Sequence, residues 1–163
     1  IETYHKQRYS EHGLDCEFVQ DNHSSSARGV LRGIHFQDLR APMAKLVRCT
    51  VGRVFDVVVD LRAGSRTFGR WVGIELSADN MKQLFVPVGC GHAFLTVSQV
   101  AELQYKCTNY YLPAAERILA WNDPDIGIEW PLDNPPQLSL RDQGGSSLRE
   151  YLGAPVFDDN NAV

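Results

Sequence analysis

The chain of 163 residues lacks the features that announce several large classes of function. No apolar run approaches the roughly 20 residues a membrane-crossing helix needs, so no membrane partner is expected. No basic leader opens the sequence, but it begins at Ile1 rather than Met, so that lack carries little weight. Positive charge is not in excess, with 16 Lys and Arg against 20 Asp and Glu and a net charge of -4. A nucleic-acid binder needs a basic face to displace counterions. What remains open is one anionic ligand held by a few placed arginines. Cys16, Cys49, Cys90 and Cys107 are scattered and form no CxxC pair, which removes zinc and redox spacing. Two disulfides could be drawn among them, yet in a chain of this size a reduced, cytoplasmic protein is expected. Internal repeats and low-complexity linkers are absent as well.

Hydrophobic residues make up 44% and charged residues 22%, as in an ordinary globular protein. The length suits a single domain over 1–163 with a sizeable core. Phe18 and Val19 lead into a polar stretch from Gln20 to Ser26. Short β-rich runs then follow at 30–36, 44–51, 54–61, 70–76, 83–86, 92–97 and 101–108. Turn residues such as Gly29, Gly52 and those at 87–91 separate them. That series predicts an all-β sandwich or barrel. Helical periodicity is confined to 6–12 and the region 147–152.

Two strands carry polar residues that need an explanation. In 101–108 the odd positions Ala101, Leu103, Tyr105 and Cys107 form the inward set, so Tyr105 points into the fold. The run 54–61 is almost continuously apolar, but Asp56 and Asp60 interrupt one face. A buried carboxylate must find a partner, so the pair is either functional or part of a hydrogen-bond network, with the network favoured. Arg32 and His35 sit in an otherwise apolar strand, where strict alternation would put them on opposite faces. Gly33 between them would permit a bulge that turns both into one cavity. Alone, a strand histidine is more often a bonded core residue than a catalyst. The nearby arginine shifts that balance, since two costly polar groups in one strand want a common reason.

The segment from Pro87 to His92 reads P-x-G-x-x-H and resembles the second motif of the cupin superfamily. Metal-binding cupins carry H-x-H in their first motif, where this chain has His35, Phe36 and Gln37. His35 and His92 are too few for a stable first-row metal site. The resemblance sharpens over an ordered series of segments: FVQDNHS at 18–24, GVLRGIHFQ at 29–37, AKLVR at 44–48 and GRVFDVVVDLR at 52–62. It continues through SRTFGRWVG at 65–73, ELQYK at 102–106, NYYLP at 109–113, WNDP at 121–124 and WPL at 130–132. Across nearly its whole length the chain resembles the dTDP-4-dehydrorhamnose 3,5-epimerase family. That resemblance implies a cupin-like antiparallel β-barrel of jelly-roll type with a few short helices. It further implies a homodimer, no metal or organic cofactor, and a dTDP-keto-sugar substrate.

By the same resemblance His35 is the base, Tyr105 the acid on the other face, and Asp142 the carboxylate paired with the base. Arg32 corresponds to a residue holding the diphosphate and Lys45 to one beside the developing enolate. Gln20, Asn22, His92 and Glu116 fall at ligand-contacting positions, as do Tyr111, Arg141 and Glu2. Glu2 belongs to a segment that reaches the nucleotide. Three departures stand out: Cys90 replaces a usual aromatic, with Gly91 and Ala93 rearranging the small residues around His92; the chain opens Ile-Glu-Thr-Tyr where family members commonly have Phe-Phe-Glu-Ser-Tyr; and a leading strand is not represented.

The residue types suit the chemistry. Removing a proton beside a ketone needs a base near neutral pKa, which histidine supplies. A carboxylate fixes the imidazole's tautomer, a lysine in a dry site meets enolate charge, and tyrosine stays protonated until charge develops nearby. Each assignment has a bland rival: Tyr105 as core packing, Lys45 as a sheet-edge charge, Trp121 and Trp130 as core. A mono-epimerase, a ketoisomerase, a non-catalytic nucleotide-sugar-binding cupin and a metal-dependent oxygenase are the competing functions. Intact His35, Asp142 and Tyr105 weigh against the non-catalytic one, and Gln37 against the oxygenase.

Overall fold

A computed structural model describes residues 1–158; the last five, which the expected domain includes, lie outside the described residues. The order of elements is α1 (Lys6–Glu11), β1 (Gln20–Ala27), β2 (Leu31–Gln37), β3 (Lys45–Val51), β4 (Arg53–Asp60), β5 (Arg62–Ala63), β6 (Trp71–Ser77) and β7 (Gln83–Val86). Then come β8 (Cys90–Thr96), β9 (Val100–Cys107), a 3-10 turn at Pro113–Ala115, β10 (Glu116–Ile118), a second at Asp142–Gly144, α2 (Leu148–Gly153) and β11 (Phe157–Asp158). One antiparallel sheet has the order β1-β9-β3-β7 and the other β10-β2-β8-β4-β6. A short parallel pair, β11 with β5, ties the C-terminal segment back. The two large sheets form a cupin-type jelly roll; the spacing of strands and turns predicts a sandwich or barrel, and the family resemblance implies this form of it.

The expected strands match closely; β1 and the short β5, β10 and β11 are additions. The polar stretch from Gln20 is a full strand, paired with β9 from Gln20↔Cys107 to Ala27↔Val100. It has no apolar face because Gln20, Asn22 and Ser24 line a polar cavity while Asp21, His23 and Ser25 are exposed along the sheet edge. Period-two hydrophobicity cannot register a strand whose buried side is hydrophilic.

Two apolar layers flank the five-stranded sheet. Between the sheets, Val47, Cys49, Val54, Leu76, Val86, Phe94, Ala101 and Leu103 pack together. On the outer face, Ile34, Val57, Val59, Leu61, Leu119, Tyr151 and Phe157 form the second layer. Each such aliphatic or aromatic side chain contributes about 1.5–3 kcal/mol by leaving water. Alternation along β4 feeds both: Val57 and Val59 face outward, Val54 and Asp56 inward. Asp60 is held in a network by Arg62 Nε–H at 2.9 Å, Ser65 Oγ–H at 2.7 Å and Thr67 Oγ–H at 2.6 Å. Burial opposes its ionisation, but these donors outweigh it and hold the carboxyl below its usual range. Trp130 packs on the outer layer, as expected, with its ring 6.0 Å from that of Phe55.

The pairing of β2 with β8 slips between Arg32 and His35. Gly33 occupies the slip with φ +135, and a Cβ there would lie 2.2 Å from Ala93 Cβ. Neither the dihedral nor the space admits a side chain. Gly33→Ala should therefore cost about 2–4 kcal/mol of unfolding free energy in urea titration. A variant as stable as the parent would show that the slip can be built without glycine.

Candidate active site

The slip decides where the site forms. Because the register shifts, Arg32 and His35 both line one cavity of about 720 Å³ between the sheets. Of the catalytic and ligand-contacting residues that the resemblance implies, all but Glu2 line it: Gln20, Asn22, Arg32, His35, Lys45, His92, Tyr105, Tyr111, Glu116, Arg141 and Asp142. Glu2 lies away from this cavity and pairs with Arg8 at 2.8 Å.

His35 stands between two carboxylates. Its Nε2–H donates to Asp142 Oδ1 at 2.6 Å, and its Nδ1 lies 3.2 Å from Glu116 Oε1. Asp142 is 4% exposed. Its Oδ1 also accepts the Gly33 N–H at 3.1 Å, and its Oδ2 accepts Ser139 Oγ–H at 2.5 Å. Burial by itself raises the Asp142 pKa, but the hydrogen bonds from His35, Ser139 and Gly33 prevail and hold it at about 2. Asp142 therefore stays an acceptor and fixes the imidazole with its proton on Nε2. The other ring nitrogen, Nδ1, then carries the lone pair and faces Glu116.

Lys45 and Tyr105 come from the other sheet. Lys45 is on β3, an inner strand, so the sheet-edge reading fails. Burial pushes its pKa down, against the pull of Cys107, Asp56 and Glu116. Its Nζ lies 5.9 Å from the Tyr105 ring centre. Tyr105 is partly buried on β9, and burial, then Cys107, raises the phenol above its ordinary value. The hydroxyl is thereby kept protonated, on the sheet that faces His35.

A second histidine–carboxylate pair lies deeper. His92 Nε2 is 2.8 Å from Asp56 Oδ1, with Asp56 fully buried. The network reading of Asp56 is the one the geometry supports. At the mouth, Arg32 donates to Ser26 Oγ at 3.0 Å and its guanidinium lies 5.9 Å from the Phe94 ring centre. Across the mouth, Arg141 Nη1–H donates to Glu116 Oε2 at 2.7 Å, and Tyr111 Oη–H donates to the same oxygen at 3.2 Å. Gln20 Oε1 accepts the Tyr111 N–H at 3.1 Å, which links β1 to this rim.

Gln37 bears on whether a metal fits. Its Nε2 donates to Ala41 O at 2.9 Å and Tyr110 O at 3.3 Å, and its Oε1 accepts the Leu112 N–H at 2.7 Å. Gln37 lines the cavity, but its amide is committed to two loops. Among the described residues no group of three His, Cys, Asp or Glu is placed to hold a metal ion. The donor set does not fit a resident cation.

Sequence reasoning missed Ser139, Ser24 and the rim-setting role of Gln37. Ser139 had a usable signal, since serine three residues ahead of an aspartate commonly exchanges hydrogen bonds with it; here Ser139 Oγ also accepts the Asp142 N–H at 3.2 Å. Cys90, the departure from the family pattern, packs between the sheets, where burial pushes its thiol up to about 11.

A jelly roll that sets a histidine–carboxylate pair across from a protonated tyrosine has the layout of a cupin-type acid–base isomerase. The sequence profile described as dTDP-4-dehydrorhamnose 3,5-epimerase matches residues 1–150. A curated dTDP-4-dehydrorhamnose 3,5-epimerase of Salmonella typhimurium is 51% identical over 93% of this chain and 84% of its own length. The crystal structure of dTDP-6-deoxy-D-glucose-3,5-epimerase from Legionella pneumophila, in complex with dTDP-4-keto-L-rhamnose, superposes with a TM-score of 0.88. It is 45% identical and covers 91% of this chain and 79% of its own. NovW, a 4-keto-6-deoxy sugar epimerase from the novobiocin biosynthetic gene cluster of Streptomyces spheroides, superposes at 0.94. It is 40% identical over 99% of this chain and 82% of its own. The chain belongs to the dTDP-4-dehydrorhamnose 3,5-epimerase family and is an isomerase.

The Asp142 environment makes a pH prediction. A carboxyl held at about 2 against 3.8 stabilises the fold fully above pH 4 and loses that stabilisation as pH falls through 2. The pH-dependent part of the stability difference between wild type and Asp142→Asn should be about 2 kcal/mol near pH 6. It should shrink toward zero near pH 2. A difference that stays constant across that window, read by chemical denaturation, would show that Asp142 is not the group held down.

Proposed function

We propose that this chain inverts C3 and C5 of a dTDP-4-keto-6-deoxyhexose, acting as one cupin-type unit over 1–163. The observation that carries the reading is the placement of the His35–Asp142 pair and the Tyr105 hydroxyl on facing sheets of one cavity. Both carbons lie beside the C4 ketone, so proton loss from either leaves an enolate. His35 removes the proton through Nδ1, its charge held by Asp142 at Nε2. Lys45, whose ammonium is weakened by burial, donates toward the enolate oxygen. Tyr105 delivers a proton from the other side, which inverts the carbon. His92 with Asp56 contacts the ligand deeper in the cavity. Arg32 binds the diphosphate at the mouth, where a guanidinium fork suits it. Gln20, Asn22, Tyr111, Glu116 and Arg141 complete the contact surface, and no metal or organic cofactor takes part.

The working form in this reading is a cytoplasmic homodimer. The four cysteines are all free thiols, as suits a reducing compartment. Residues near the N-terminus cling to the four-stranded sheet through Gln83 Nε2–H, which donates to Thr3 O at 2.7 Å. From there Glu2 serves a neighbouring subunit's cavity rather than its own. Light scattering should return twice the chain mass of 18.3 kDa. A fully active monomer at low concentration would remove this part of the proposal.

The deciding experiment is incubation with dTDP-4-keto-6-deoxyglucose in deuterated water. Deuterium should enter at C3 and C5 with inversion at both; label at a single carbon would make the chain a mono-epimerase. His35→Ala should lower turnover by about 10²–10⁴-fold, the usual contribution of a general base. Tyr105→Phe should still exchange hydrogen with solvent while net inversion fails. A stable Tyr105→Phe protein that inverts at the parent rate would dismiss the proposed acid.

A further inference from the structure

Two-base inversion leaves a proton ledger that the roles above do not close. Each inversion puts one proton on His35 and takes a different one from Tyr105. Before the second carbon can react, or the next substrate, His35 must lose what it gained and the Tyr105 phenolate must take a proton back from water in the cavity. Asp142 is poorly suited to accept it. It is buried, it already accepts three hydrogen bonds, and it faces Nε2 rather than the nitrogen that met the carbon.

The group at the other nitrogen is Glu116, with Oε1 3.2 Å from Nδ1. Glu116 sits on β10 directly opposite Gln37 of β2, so its backbone is fixed by the strand that carries His35. Its second oxygen reaches Arg141 and Tyr111, which are 63% and 45% exposed at the rim. The Glu116 side chain itself is 17% exposed. One carboxylate thus touches the base at one end and the solvent boundary at the other. This resting contact also places an acceptor beside the nitrogen that the substrate's C–H must approach.

We propose that Glu116 is the relay through which His35 returns to its basic form. The proton on Nδ1 passes to Glu116 Oε1, giving neutral imidazole and a carboxylic acid. The acid then releases its proton to water or buffer at the mouth, regenerating the carboxylate. No electrons move, and the only bonds made and broken are N–H and O–H. Arg141 and Tyr111 bond the ionised carboxylate, so they favour its release of the proton. The inference rests on the epimerase reading, since only a reaction that leaves His35 protonated needs the relay.

Glu116→Gln keeps the size and the Arg141 acceptor but cannot take a proton. With substrate deuterated at C3 and C5 and enzyme in excess, the first carbon to exchange should do so within about 3-fold of wild type. Exchange at the second carbon and steady-state kcat should fall by about 10- to 100-fold, within the range proton-transfer groups contribute. KM should be little changed. Added imidazole at increasing concentration should restore kcat along a saturating curve, because a small base replaces the missing acceptor. Glu116→Asp, which keeps a carboxyl, should turn over without that stimulation, and Glu116→Ala repeats the imidazole test with no side chain to misplace.

A rise in KM with kcat preserved would make Glu116 a ligand contact alone and overturn the relay. So would a fall in kcat that imidazole leaves untouched in both Glu116→Gln and Glu116→Ala. Equal imidazole stimulation of Glu116→Asp would overturn it too. A wild-type protein that exchanges neither carbon overturns the epimerase reading along with it; one that inverts both, with any of the preceding results, overturns the relay alone.

Discussion

The site depends on one acceptor. Asp142 Oδ1 takes hydrogen bonds from the His35 imidazole and from the Gly33 N–H, so a single oxygen anchors both the base and the bulge that aims it. The bulge lets two side chains three residues apart enter the same cavity, which an unbroken strand forbids. The donors that satisfy Asp142 also keep it ionised despite its burial, and an ionised Asp142 is what fixes the tautomer of His35. The loop that delivers Asp142 is pinned in turn, because the backbone from Gly145 passes so close to Leu119 that a Cβ there would lie 2.5 Å from a carbonyl carbon. Remove the carboxylate and the strand slip, the imidazole and the loop all lose a common partner.

The cavity is polar on the side where a sandwich ordinarily gains most from apolar contact. Gln20, Asn22, Arg32, His35, Lys45 and Glu116 occupy space between the sheets that aliphatic side chains would otherwise fill. The fold offsets this with the layer outside the five-stranded sheet. There α2, β11 and the chain around Leu119 and Ile126 cover Val57, Val59 and Leu61. Tyr151 closes the arrangement by donating its hydroxyl to Leu61 O at 2.8 Å and accepting N–H groups from Val156 and Phe157. The C-terminal third is thus structural on one face of the sheet and supplies Arg141 and Asp142 to the other.

How much of this was legible in the sequence follows from what each residue type can signal. The apolar strands and their turns announced themselves, because alternation and glycine placement report directly on burial and bends. The bulge was legible for a chemical reason: two unaffordable polar groups in one strand, with the one residue between them that tolerates positive φ. The strand β1 was not, since its inward face lines the cavity and carries no apolar side chain. Nor could sequence reveal that Gln37 faces two loops. Its position suggested only that a metal ligand was missing, whereas its amide sets the path of residues 110–112 and hence the rim. Glu2 illustrates the remaining limit, because within its own chain it pairs with Arg8 and lies away from the cavity.

The two sheets divide the proposed chemistry. The five-stranded sheet contributes histidines already tied to carboxylates, His35 to Asp142 and His92 to Asp56. The four-stranded sheet contributes Lys45 and Tyr105, whose protonation is set by burial more than by a partner. Burial weakens the lysine's hold on its proton, which readies it to donate toward an enolate, and strengthens the tyrosine's, which keeps the phenol protonated until charge appears beside it. Carboxylates spread over the same wall would cancel that effect by stabilising the ammonium and repelling an enolate. In the proposed reaction, keeping Asp56 and Glu116 on the opposite sheet and Asp142 in the turn behind it, each beside a histidine, lets base and acid face each other without neutralising each other first.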